Sequence, residues 1–159
     1  MLVYDIVMKS VPAMLVASRQ VRIPTNDQVP HYLGPAFDET YDHVRKQGAR
    51  DTGLCFSLWH SFADEFENEE AEALVPIDRP IQETDRIKVY QLPAAEVAAV
   101  LHQGNFEDFT QGHAALLEWI YVNEYMIVGP YREIYIKHNK ANLADSATEI
   151  QFPVQRVGR

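Results

Sequence analysis

The sequence predicts an α+β fold: duplicated βαββ repeats with pseudo-two-fold symmetry. Their antiparallel curved sheet carries helices on one face and a central ligand cleft. Three observations carry this reading. Apolar residues alternate with period 2 in some stretches and recur with helical spacing in others, and the order strand, helix, strand, strand occurs twice. Landmarks recur at a near-constant distance. Val11-Pro12-Ala13 returns as Leu92-Pro93-Ala94 after 81 residues, Gly53 as Gly129 after 76, and Glu72 and Pro76 as Glu149 and Pro153 after 77. Two units of about 75 residues are also too few and too long for a solenoid. A pair sharing one continuous sheet solves the burial problem, with helices covering one face and the other curving into a cleft where the halves meet. The repeats span about residues 1–81 and 85–157 of a single domain, with the break near Pro80 to Asp85.

Each element has its own signal. Tyr4 to Val11 alternates and is interrupted at Pro12; Met14 to Val21 resumes as strand. Ile23 to His31 holds Pro24, Asn26, Asp27 and Pro30 and reads as a loop. Gly34-Pro35 opens a helix whose buried face is Phe37, Tyr41, Val44 and Gly48. Leu54 to His60 is a strand with Cys55, Ser57 and Trp59 on alternate positions. The acidic stretch Ala63 to Glu72 reads as a solvated loop without the ordered ligand spacing of a calcium site. Glu72 to Ile77 is a strand ending at Pro76. Arg86 to Leu92 and Glu96 to His102 are strands flanking Pro93. Asn105 can cap a helix with Phe109, His113, Leu116, Leu117 and Ile120 as its buried stripe. A strand starts at Tyr131, Asn139 to Ala147 is a polar loop, and Glu149 to Val154 closes the chain as a strand.

Composition bounds the function. The 159 residues are 47% apolar and 23% charged, as in a globular protein. A net charge of −9 opposes nucleic-acid or anionic-membrane binding and favours cationic partners. The start, Met1-Leu2-Val3-Tyr4-Asp5-Ile6, lacks signal-peptide character, no apolar run approaches a membrane span, and Cys55 is the sole cysteine. A reducing cytoplasm fits these features best.

The chemistry points to one strand. In Gly129-Pro130-Tyr131-Arg132-Glu133-Ile134-Tyr135-Ile136-Lys137, alternation puts Tyr131, Glu133 and Tyr135 on one face and Arg132 on the other. An isolated charge is expensive to bury, so that face is either solvated or lines a cavity that needs a negative charge. Arg132 reads as a structural or surface pairing residue, His113 as a satisfied core histidine, and Cys55 as a small buried hydrophobe. The six histidines show no metal-ligand spacing, and there is no serine elbow, dinucleotide fingerprint or P-loop. Neither a metal nor a cofactor is expected.

The segments Gly129-Pro130-Tyr131-Arg132-Glu133-Ile134-Tyr135 and Thr148-Glu149-Ile150-Gln151-Phe152-Pro153-Val154 resemble the GyrI-like small-molecule-binding superfamily. Tyr4-Asp5-Ile6-Val7, Lys9-Ser10-Val11-Pro12-Ala13 and His102-Gln103-Gly104 are also similar to it, so the resemblance covers essentially the whole chain. The superfamily includes effector-binding domains of AraC- and MerR-type transcription regulators and free-standing members.

The resemblance implies binding of amphipathic, often cationic aromatic compounds, with a buried glutamate receiving the positive charge inside an aromatic cage. Glu133 is the matching residue, with Tyr131, Tyr135 and Trp59 as cage partners and Phe106 and Phe109 as wall aromatics. Such a cage attracts a cation by about 0.5–2 kcal/mol per aromatic contact. The leading expectation is a sensor or sequestering module with a small-molecule partner. It has no direct nucleic-acid binding, because no helix-turn-helix module remains once the repeats are assigned. Two alternatives come with the resemblance. One is a hydrolase of reactive cyclopropane-bearing genotoxins, using Glu133 to steer water and Tyr135 as hydrogen-bond donor. The other is a gyrase-inhibitor-like module whose acidic surface contacts a protein partner.

Overall fold

Val11-Pro12-Ala13 and Leu92-Pro93-Ala94 are the points where the chain changes unit. Contacts cluster into one unit of Ala13–Pro93 and another of Met1–Pro12 with Ala94–Arg159. The computed structural model describes residues 4–60, 67–104, 109–138 and 141–158, without the side chains of Phe109 and Leu143.

In chain order the strands are β1 (Ile6–Val11), β2 (Met14–Ile23), β3 (Phe56–Trp59), β4 (Glu69–Pro76), β5 (Ile87–Leu92) and β6 (Ala95–Gln103). They continue with β7 (Tyr125–Ile127), β8 (Tyr131–Lys137) and β9 (Ala147–Arg156). Helix α1 (Val29–Lys46) follows β2, and α2 (Phe109–Val122) follows β6. The prolines at 12 and 93 explain both crossings. Proline cannot donate to a ladder, so each long extended run breaks into two strands that pair with different neighbours.

In the Ala13–Pro93 unit, β2 lies between β4 and β5, and β3 pairs with β4, all antiparallel. Ala17, Val75 and Ile87 on the sheet and Val44 on α1 form its core, with Leu15, Phe37, Tyr41 and Cys55 packed against them. Of the helical face read from the sequence, Val44 is buried, Phe37 and Tyr41 are half-buried, and Gly48 is exposed beyond the helix end; Leu33, Ala36 and Thr40 complete the buried face. Its start differs: α1 begins at Val29, after a 3-10 turn at Asn26–Gln28, and Pro35 sits inside it. Pro30 occupies the first turn, where a missing N–H costs nothing, so a proline-rich stretch that looks like loop is a helix start. The exit is Gly48, with φ 75°, a left-handed conformation that favours glycine after a helix. The acidic stretch also differs from expectation. Glu69 and Glu72 are buried in β4, while residues 61–66 lie outside the described residues.

In the other unit, β6 lies between β1 and β9, and β9 also pairs with β7 and β8. Its core is Ala98 and Val100 of β6, Leu116 and Ile120 of α2, and Ile150, Phe152 and Val154 of β9. Asn105 lies outside the described residues. Strand β7 is unforeseen because three residues carry too little periodicity to read. It pairs Tyr125 with Arg156, whose guanidinium lies 5.2 Å from the Tyr125 ring centroid. Gly112 of α2 faces the sheet, with room there for ordinary contact by a larger residue. A Cβ there would meet Ile150, Tyr4 and His102 at 3.6–3.8 Å.

Ser57 pairs with Ala73, and Glu133 with Ile150, residues offset by 76 and 77 positions. Ser18 pairs with Leu74, and Ala99 with Gln151, residues offset by 81 and 77.

Candidate functional site

On β8 the register sets what each side chain faces. Glu133 stands opposite Ile150, Tyr135 opposite Thr148, and Arg132 opposite Gln151. Directly paired residues share a face, and Ile150 belongs to the core under α2, so Glu133 points toward that helix. The helix-free side, where the cleft was expected, carries Arg132 instead. Arg132 is 4% exposed, a buried structural residue rather than a surface one.

Glu133 is itself buried, at 7% exposure. Its Oε2 lies 3.2 Å from Nε2 of His113, on the second turn of α2. Among the described residues this imidazole is the carboxylate's one hydrogen-bond partner. The rings around the pair are ordered. His113 meets Tyr131 at 5.3 Å and 80° and Phe152 at 5.8 Å and 88°, both edge-on, while Tyr131 and Phe152 stack at 4.9 Å and 23°.

The structure thus brings Glu133 and Tyr131 together and places Tyr135, half-buried, on the same side of β8. It adds His113 and Phe152, which the sequence reading did not assign. A signal for His113 existed. A histidine in an apolar helix stripe needs a polar partner, and a carboxylate on a core strand needs a donor. Trp59 is described within the Ala13–Pro93 unit. It is buried on β3, and its Nε1–H donates to Ser57 Oγ at 2.8 Å. Phe106 and the side chain of Phe109 lie outside the described residues.

A second constellation, around Glu72, was also missed, because the first residues of its strand, Glu69 to Ala71, were read as part of the acidic loop. Glu72 Oε1 accepts from Ser18 Oγ at 2.6 Å and Tyr90 Oη at 2.7 Å, and its Oε2 pairs with His60 Nε2. These groups, with Gln20 and Lys88, line a cavity of about 480 Å³.

Other chemistry is poorly supplied. Burial pushes the Cys55 thiol up, and the Tyr41 hydroxyl, which donates to it, is pushed up by burial as well. Cys55 is therefore a protonated, weak nucleophile at neutral pH. Among the described residues no group of three or more His, Cys, Asp or Glu could hold a metal ion. No described helix is long and apolar enough to cross a membrane.

The fold is α+β, antiparallel strands with two helices, and one unit holds a buried carboxylate beside stacked aromatic rings. The family described as GyrI-like small molecule binding domain matches residues 4–155, and this chain belongs to it. No curated protein matches the chain. Among solved structures, it is similar to EcmrR in its complex with DNA, at 27% identity and TM-score 0.87, covering 97% of this chain and 58% of that one. The isolated EcmrR C-terminal domain matches at 25% identity and TM-score 0.84, covering 98% of this chain and 100% of that one. SAV2435, solved bound to tetraphenylphosphonium, shares the fold at 13% identity and TM-score 0.62, over 97% and 94% of the two chains. The chain thus spans about three-fifths of the length of the full EcmrR chain and is related to MerR-family effector domains.

Proposed function

We propose that this chain binds lipophilic aromatic cations at Glu133, as the ligand-sensing or sequestering module of a regulatory system. One observation carries the reading. Glu133 is a buried carboxylate with one described partner, beside the stacked rings of Tyr131 and Phe152. A carboxylate so placed is costly unless a counter-charge joins it. An apolar cation supplies the charge without asking for hydrogen bonds, and aromatic faces add cation–π attraction. Tyr135 is the proposed further aromatic contact. SAV2435, with the same fold, was solved with a ligand of this chemistry, which supports the choice of probe.

Calorimetric titration with a matched cationic and neutral dye tests the reading. Glu133→Gln keeps the side-chain shape and removes the charge. It should weaken the cation by about 2 kcal/mol, roughly 30-fold, and the neutral dye by much less. Equal losses for both dyes would remove the electrostatic role.

A further inference from the structure

We propose that the cavity beside Glu72 is a second ligand site, one that takes an uncharged polyhydroxylated compound of sugar size. It lies within the Ala13–Pro93 unit and is independent of the reading of Glu133. Ser18 of β2 pairs with Lys88 of β5, and Gln20 of β2 with Glu72 of β4, so these side chains share one face of the sheet. Ala17 and Val75, on the opposite face, belong to the core with Val44 of α1. The cavity therefore opens on the side that this helix leaves bare. Its volume of about 480 Å³ falls in the lower part of the usual range for small-molecule pockets, about 300–1,000 Å³.

The lining decides the class of ligand. Three cationic residues, Arg19, Arg86 and Lys88, stand against three acidic ones, Glu70, Glu72 and Asp85, a net charge of zero with His60 counted as neutral. Most of these charges are also met inside the protein. Glu39 holds Arg19 at 3.1 Å and Arg86 at 2.8 Å, Arg22 pairs with Glu70, and the Lys88 ammonium donates to the Thr84 carbonyl at 3.1 Å. A cation entering this space meets the positive groups and an anion meets the carboxylates, whereas an uncharged ligand is opposed by neither. What the wall retains is hydrogen-bonding capacity, because ammonium, guanidinium and carboxylate groups each offer more positions than one partner fills. Donors and acceptors are interspersed around one space, and a hydroxyl, which both donates and accepts, suits each kind. Half-buried Tyr90, whose hydroxyl is anchored on Glu72 at 2.7 Å, adds an aromatic ring against which the C–H face of a sugar can pack.

The test is calorimetric titration of the whole chain at neutral pH with sugars that share a ring and differ in charge. The probes are glucose and galactose, their amino sugars as cations and their uronates as anions, each carried to about 100 mM. Wild type should bind one of the uncharged sugars saturably, with a Kd of about 10 mM or below, and about fivefold more tightly than its charged counterparts. Lys88→Met, at an exposed position, removes a donor and leaves the lining one charge negative. There the uncharged sugar should lose about fivefold and the amino sugar should overtake it. Absence of saturable binding by both uncharged sugars overturns the proposal, as does a wild-type preference for the amino sugar or the uronate. An unchanged ranking in Lys88→Met overturns it by placing the sugar elsewhere. Displacement of the sugar by tetraphenylphosphonium would place it at Glu133 and overturn it as well.

Discussion

Glu72 and Glu133 are both buried carboxylates on sheet strands, 8% and 7% exposed, one in each unit. Their surroundings differ. Glu72 accepts from a serine and a tyrosine hydroxyl on one oxygen and pairs with a histidine on the other. Glu133 has a single described partner, a histidine, and aromatic rings where Glu72 has hydroxyls. A fully hydrogen-bonded carboxylate is a structural joint: it ties β2, β4 and β5 together and gains little from a further partner. A carboxylate left with spare acceptor capacity among rings is under electrostatic tension that a ligand can relieve. On the proposed reading, burial with incomplete pairing, rather than burial alone, marks the site.

The largest expected effect comes from breaking the Glu72 joint. Ser18→Ala combined with Tyr90→Phe removes both hydroxyl donors and leaves Oε1 buried without them. Hydrogen bonds to a charged group are worth about 1.5–3 kcal/mol each, so chemical denaturation should show a loss of about 3 kcal/mol, with cation binding at Glu133 unchanged. A loss below about 0.5 kcal/mol would mean that water replaces the hydroxyls and that Glu72 is not a joint.

A smaller effect concerns alkaline pH and the Tyr41–Cys55 pair. Both groups are held above their ordinary values, burial being the first cause. Raised values favour the neutral forms, so the stabilisation is complete below the unfolded-state values. It is lost as pH rises past about 9, the thiol's ordinary value, toward the folded-state values. The melting temperature should fall above pH 9, and Cys55→Ala with Tyr41→Phe should flatten that fall. An unchanged alkaline slope in the double variant would move the cause to other groups.

Much of this architecture was legible in the sequence. Proline at 12 and 93 marked interruptions of extended runs, and alternation on β8 placed Tyr131, Glu133 and Tyr135 on one side. What stayed hidden has physical causes. Strand β7 is too short for a period, and Pro30 and Pro35 disguised the first turns of α1. Glu72 continued a run of acids, and only strand pairing with Gln20 and Leu58 separates it from them. His113 looked like core because its partner lies 20 residues away on another element; a hydrogen bond across elements leaves no trace in local periodicity.

The most direct measurement compares Glu72→Gln with Glu133→Gln in one experiment, reading melting temperature and tetraphenylphosphonium affinity for each. An amide at 72 cannot accept from two hydroxyls and an imidazole as a carboxylate does. Glu72→Gln should therefore cost about 2 kcal/mol of stability and leave affinity within about twofold. An amide at 133 still meets His113. Glu133→Gln should leave the melting temperature nearly unchanged and lower affinity about 30-fold. That crossed pattern is the predicted result. Both variants losing stability alone, or both losing affinity alike, would contradict the division of the two carboxylates into joint and site.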